Sequence, residues 1–431
     1  MKVLTKLRLD IDKLKSSPEL KKSLIYVMAS AIGYGIVFIQ NFSLAYILPI
    51  SFFGKVSLII SLFSTLYVLF TFGLNAVVLR YYFDKEYKKD KKSLVSHVVV
   101  MWFLLGGCLL LVLGLLGYKL VHVDQYLQID FVKEYLLIVL AAFLYSFSEI
   151  FPNLFIVEEK PLKYALFLIL SKALMFGLLL VGIFLYGESS FHVSLMLLIV
   201  SLVMFLAMVI VFKVFPLTQI KKENVMELLR YAFPLMIYAL GGIGYSHGYR
   251  VIISGSLNYN DLGLFSLSAQ LASVYYLAVS SSITGLYPKA YKRLEESNGH
   301  PKMIRFYLRA LIYIGLGTIV IILPLTYLFL MYFKNGAFLS SFTVLPVLIF
   351  GQFLFFIYAY SYILCTYYKK TNILTFSMFA GIITSLSLAF ILIRESNILM
   401  AAIPVACGLL VQLIISLIAT HTVARKNPQA C

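Results

Sequence analysis

The sequence predicts an all-α polytopic membrane protein with about twelve transmembrane helices, set as two six-helix lobes around a central cavity. Three observations carry that expectation: an apolar composition, long apolar runs separated by short basic stretches, and an internal repeat. Hydrophobic residues make up 61 % of the 431 and charged residues only 13 %, against ~45–50 % and ~25 % in ordinary globular chains. A mean hydropathy of +0.93 leaves too little polar surface to coat a water-soluble particle. Almost no chain remains for a large extramembrane catalytic domain.

The net charge of +17 would suit nucleic acid, but its placement argues against that partner. Lys and Arg fall in short clusters between apolar runs, as the cytoplasmic loops of a membrane protein require. Cys108, Cys365 and Cys407 sit inside apolar runs and Cys431 is the last residue, so no disulfide framework is indicated. A charged and polar stretch precedes the first apolar run, and no cleavable signal peptide is expected.

A helix needs ~20 mainly apolar residues to cross ~30 Å of hydrocarbon. Twelve segments qualify: 23–48, 54–79, 95–117, 134–157, 162–186, 191–213, 229–256, 261–287, 303–330, 341–368, 371–394 and 397–421. Helices are expected because backbone polar groups in lipid must be satisfied within the segment. With the N-terminus placed in the cytoplasm, 29 Lys and Arg fall on the cytoplasmic side and five (Lys55, Lys119, Lys133, Lys334 and Arg394) on the other. That bias puts both termini in the cytoplasm. Val3, Leu4, Leu7, Ile11 and Leu14 alternate at helical spacing with Lys2, Lys6, Arg8, Lys13 and Lys15. The pattern fits a helix lying on an anionic leaflet, or equally a plain basic tail that sets topology.

Sliding the chain along itself exposes the repeat. Residues 54–82 match residues 263–291 without a gap at seven positions: Gly54/Gly263, Ser57/Ser266, Leu58/Leu267, Leu62/Leu271, Ser64/Ser273, Tyr67/Tyr276 and Tyr82/Tyr291. Gly33/Gly242 and Gly35/Gly244 match at the same offset. The offset carries span 2 onto span 8, so both copies point the same way and the repeat is parallel, with its axis along the membrane normal. The organisation that follows is a basic N-terminal segment (1–22), an N-lobe (23–214), a cytoplasmic inter-lobe loop (215–228), a C-lobe (229–421) and a cytoplasmic tail (422–431). Two such bundles about a cavity are the expected build of an alternating-access carrier.

Two stretches, YILPISFFGKVSLI…FTFGLNAVVLRYY (46–59 and 70–82) and LLRYAFPLMIYALGGIGYSHGYRVIISGSLNYNDLGLFSLSAQLASVYYL (228–277), resemble the Wzx-type oligosaccharide flippases. These belong to the polysaccharide-exporter branch of the multidrug/oligosaccharidyl-lipid/polysaccharide exporter superfamily. The shared features are a glycine opening span 2, Gly-Leu-Asn shortly before an Arg at its far end, Phe-Pro-Leu near the start of span 7 and an Arg late in it. The resemblance implies transbilayer movement of an undecaprenyl-pyrophosphate-linked oligosaccharide in a bacterial inner membrane, for O-antigen, capsule or another surface glycan. It also implies a cationic cavity that receives the pyrophosphate. Partners would be the polyprenyl-linked substrate, membrane lipid, and polysaccharide polymerase and chain-length machinery. No cofactor is expected; a proton or sodium gradient is the coupling source open to such a carrier.

Charges inside spans are costly, so each is a functional candidate. There are three: Glu149 in span 4, Lys172 in span 5 and Arg250 in span 7. Counting along the helices at ~1.5 Å per residue sets Glu149 and Lys172 at similar depth on antiparallel neighbours. They form either a structural ion pair or a cavity-facing cation whose carboxylate holds it or exchanges protons. Arg250 either binds phosphate through its planar fork or snorkels to the outer headgroups. His247 is three residues away, on the same helical face, as a titrating neighbour or as a hydrogen-bonding partner of another helix. Gln40, Asn41, Asn75, Asn153 and Gln270 are candidates for a sugar path, against the ordinary use of such residues in helix packing.

No Walker A loop or Cys/His metal spacing is present, and no enzyme activity is expected. Two rivals remain. One is a multidrug or organic-cation antiporter of the same superfamily, which would want acidic cavity residues. The other is a membrane-embedded polysaccharide polymerase, which would want a large external loop; the longest here spans 118–133.

Overall fold

The computed structural model describes residues 18–82, 87, 91–119, 131–212, 220–243, 248–296, 305–368, 370–393 and 398–426. The basic segment ahead of residue 18, most of the loop 118–133 and His247 lie outside the described residues. All regular structure among them is helical, as the composition predicts.

The helices run in order as α1 (Pro18–Ile47), α2 (Ile50–Thr71), α3 (Leu74–Tyr81), α4 (Lys91–Met101), α5 (Gly107–Lys119), α6 (Phe131–Ile150), α7 (Asn153–Val157) and α8 (Pro161–Tyr186). After them come α9 (Ser190–Phe212), α10 (Lys222–Ile243), α11 (Tyr249–Ser256), α12 (Tyr259–Glu296), α13 (Arg305–Tyr332), α14 (Leu345–Tyr367), α15 (Thr371–Leu392) and α16 (Leu399–Lys426). Ten spans among the described residues are long and apolar enough to cross a membrane. The other two expected spans, 229–256 and 261–287, fall on α10 with α11 and on α12. Within the first, residues 244–247 lie outside the described set. The second continues as one 38-residue helix that carries six serines and a charged C-terminal end.

The chain forms two compact units. One comprises residues up to Leu44 together with Leu62–Leu240, and the other Ala45–Ser61 with Gly241 onward. Each therefore includes a piece of the opposite half of the sequence.

In the first unit α6 packs along α9 around an aromatic core. Trp102 lies in a π-helical turn, Trp102–Gly106, that joins α4 to α5. Such a turn widens the helix by one residue. Its indole stacks on Phe143 at 4.4 Å and 9°, touches Phe147 edge-on at 4.9 Å and donates from Nε1 to Ser146 Oγ at 2.8 Å. The break between α2 and α3 depends on backbone freedom. Phe72 and Gly73 both have positive φ, 49° and 69°, and a Cβ on Gly73 would come within 2.6 Å of the Ala232 carbonyl oxygen on α10. Only glycine tolerates that turn and that approach together.

In the second unit α14 and α16 form the core with α15. Close approach of α15 and α16 rests on Gly408, where a Cβ would lie 2.6 Å from the Gly381 carbonyl oxygen. One helical turn away Ser385 Oγ donates to the Pro404 carbonyl at 2.6 Å. Cys365 is buried, Cys407 half-buried and Cys108 exposed, all as free thiols.

Candidate functional site

In the first unit, Tyr145 and Glu149 are four residues apart on α6 and so share a face. The helix ends before Pro152, and Asn153 Nδ2 donates to the Glu149 and Ile150 carbonyls, both at 3.0 Å, taking up acceptors in the last turn of the interrupted helix. From α8, Lys172 reaches the same face. Its Nζ donates to Tyr145 Oη at 2.9 Å and lies 3.5 Å from Glu149 Oε1.

The phenol is a rigid anchor. Tyr145 is 2 % exposed, and its ring centroid is 5.2 Å from those of both Phe63 and Tyr67 on α2. The charges themselves are not sealed: the Lys172 and Glu149 side chains are 21 % and 36 % exposed. Tyr26 and Tyr164, 5.4 Å apart edge-to-face, flank the same region, and Tyr34 nearby is largely exposed. An ammonium steadied by a buried phenol, half-balanced by a carboxylate and open on one side can receive an anion.

In the second unit, Arg250 is the second residue of α11. Its Nη1 donates to Ser61 Oγ at 2.6 Å. Ser61 is fully buried and donates in turn to the Ser57 carbonyl at 2.7 Å. That leaves the hydroxyl lone pairs directed to the guanidinium. A second cation of this unit, Lys334, donates to the Leu48 carbonyl from a tight turn in which Lys334, Asn335 and Gly336 all have positive φ.

Glu149 and Lys172 are thus brought together, while Lys172 and Arg250 belong to separate units. Among the remaining candidates Gln40 is 2 % exposed, Asn41, Asn153 and Gln270 are half-buried and Asn75 is exposed on α3. Sequence reasoning did not find Tyr145 or Ser61, the partners of both cations. The four-residue spacing of Tyr145 and Glu149 is the signal that would have found the first. It also passed over His97, fully buried on α4, and Glu134, 4 % exposed and accepting from Ser190 Oγ. Among the described residues no group of three His, Cys, Asp or Glu side chains is placed to hold a metal.

These features define a multi-pass, all-α membrane protein that carries fixed charges inside its helices. The chain belongs to the polysaccharide biosynthesis protein family, whose model matches residues 20–293. No curated protein matches it. Its fold is that of a lipid II flippase, MurJ, in an inward closed conformation, with a TM-score of 0.71 at 14 % identity over 92 % of this chain and 87 % of that one. An inward-facing multidrug resistance MATE family transporter of the MOP superfamily follows at 0.65 and 13 % identity, over 93 % and 99 % of the two chains. A eukaryotic MATE transporter, AtDTX14, matches at 0.57 and 14 % identity over 95 % and 97 %. These three similar structures, a flippase and two transporters, share the fold of this chain.

Proposed function

We propose that the protein translocates a polyprenyl-pyrophosphate-linked oligosaccharide across the bacterial inner membrane by alternating access, supplying surface polysaccharide assembly. The observation that carries this reading is Lys172, an ammonium inside the helices, tethered to a buried phenol and open on one side. A diphosphate leaving water must exchange its hydration for fixed donors, and charge-assisted bonds to cations are the strong ones. Lys172 would receive it, with Glu149 yielding its place to phosphate oxygen. Arg250 would offer a second anchor, since a guanidinium fork matches phosphate bidentately. Half-buried Asn41 and Gln270 and the exposed Tyr34 supply donors and rings suited to sugar.

Membership of a polysaccharide biosynthesis family and a fold shared with a lipid II flippase support the reading. The 29-to-5 charge bias supports cytoplasmic termini, and the parallel repeat supports lobes at 23–214 and 229–421. A polysaccharide polymerase and chain-length machinery would act downstream.

The partly exposed Glu149 carboxylate favours one second reading, an organic-cation antiporter. Reconstitution separates the two. In proteoliposomes, a lipid-linked oligosaccharide probe should become accessible to an external glycosidase only when the protein is present, and Lys172→Met should abolish that gain. Imposed proton and sodium gradients would then identify the coupling ion. Ethidium transport without oligosaccharide inversion would replace this reading with the antiporter.

A further inference from the structure

His97 has both ring nitrogens engaged, and by opposite chemistry. Nδ1 lies 2.6 Å from the Ser93 carbonyl oxygen one turn back on α4. A carbonyl only accepts, so Nδ1 carries the proton. Ser93 Oγ stands further off, at 3.4 Å from the same nitrogen. Nε2 faces the backbone N–H of Lys221 at 3.1 Å. An amide only donates, so Nε2 presents its lone pair. The two contacts together fix one tautomer and require a neutral ring.

Lys221 immediately precedes α10, and its own carbonyl accepts from Val225 in that helix's first turn. His97 therefore tethers the start of α10 to α4 across 124 residues of sequence. A second route runs beside it through rings and one side-chain hydrogen bond. Tyr87 meets His97 edge-on at 5.9 Å, Tyr81 meets Tyr87 at 6.4 Å and Tyr231 on α10 at 5.5 Å, while Tyr81 Oη donates to Glu227 at 3.1 Å. Only the first route contains an imidazole, a ring that gains a positive charge when its second nitrogen is protonated.

We propose that His97 is a proton-binding site that governs the docking of α10 on the first unit. When Nε2 takes a proton the ring becomes a donor at both nitrogens, and the facing Lys221 N–H loses its acceptor. The contact is therefore present while the ring is neutral and is lost as pH falls. Of the ionisable groups around it, the lysines reinforce that sign and the Glu223 carboxylate opposes it. Lys91 and Lys92 belong to its own helix, Tyr87 faces the ring, and Lys221 and Glu223 stand exposed at the start of α10. Among the described residues no carboxylate bonds the imidazole to compensate a positive charge. The ring is completely buried. The inference is independent of what the protein transports.

Hydrogen exchange on the full-length protein in nanodiscs tests it. After correction for intrinsic exchange, amide protection across residues 221–226 should fall roughly threefold to tenfold between about pH 8 and about pH 5, the worth of one net hydrogen bond. His97→Gln, which keeps an acceptor but cannot titrate, should flatten that dependence. The wild-type protein gives a second measurement that needs no variant to fold. In nitrogen-15 histidine spectra, one buried ring should be Nδ1-protonated at about pH 8 and gain its second proton over the range in which protection is lost. Equal pH dependence in wild type and His97→Gln, or the absence of a buried Nδ1-protonated histidine, would overturn the proposal.

Discussion

Gly54 and Gly263, equivalent positions of the repeat, each lie against the carbonyl that opens the other's helix. A Cβ on Gly54 would overlap the Tyr259 carbonyl oxygen, and one on Gly263 would overlap the Ile50 carbonyl oxygen. Ile50 and Tyr259 begin α2 and α12 and are themselves related by the repeat offset. The contact is thus reciprocal, a local two-fold crossing of two N-terminal turns.

Backbone carbonyls cannot rotate aside as a flexible side chain would. Gly54→Ala and Gly263→Ala should therefore each force the helices apart and cost about 1–3 kcal/mol, the usual range for overpacking. Thermal unfolding in detergent, followed by loss of monodisperse protein, measures this. Unequal losses at the two positions would break the argument from symmetry.

The Glu149–Lys172 pair makes a different prediction. Removing one partner should hurt more than removing both, because it strands a charge that the other balanced. The pair is partly open, so screening lowers the single-variant cost to about 1–3 kcal/mol. Glu149→Gln and Lys172→Met should each fall below the double variant in thermal stability. Tyr145→Phe should weaken transport while leaving that order intact, since it removes the tether and keeps the ring.

For Arg250, charge and geometry can be separated. Arg250→Lys keeps the cation and loses the fork, so complementation of surface polysaccharide should be partial. Arg250→Ala should largely abolish it at unchanged membrane abundance. Ser61→Ala leaves the guanidinium without its buried acceptor and should resemble the lysine variant. Full activity in Arg250→Ala would assign the residue to anchoring at the headgroups.

Trp102 is the sole tryptophan and is 4 % exposed. Its fluorescence should be blue-shifted and resistant to aqueous quenchers, and its red shift should track unfolding of the first unit. Trp102→Phe keeps stacking on Phe143 but leaves Ser146 Oγ without its donor, costing about 1 kcal/mol. An emission maximum typical of exposed indole would contradict the packing.

How much of this was written in the sequence depends on range. Helical spans were legible because lipid permits few alternatives, and the shared depth of Glu149 and Lys172 followed from a fixed rise per residue. Tyr145 was not, because one phenol among 31 tyrosines is marked only by its four-residue spacing from Glu149. The Ser61–Arg250 bond joins positions 189 apart, beyond any local pattern. His97 was invisible for a further reason: its partner is a main-chain amide, which every residue but proline possesses.

The segment Ala45–Ser61 belongs to the compact unit otherwise built from Gly241 onward, and Lys222–Leu240 to the unit built from the first half. A gene split in the connection 213–219 would give two polypeptides, each lacking a strip that its own fold requires. Neither half should survive alone in the membrane; made together, they should rescue one another. A cut moved to the far side of Leu240 would still leave Ala45–Ser61 on the wrong fragment, so no single break in the chain yields two self-sufficient pieces.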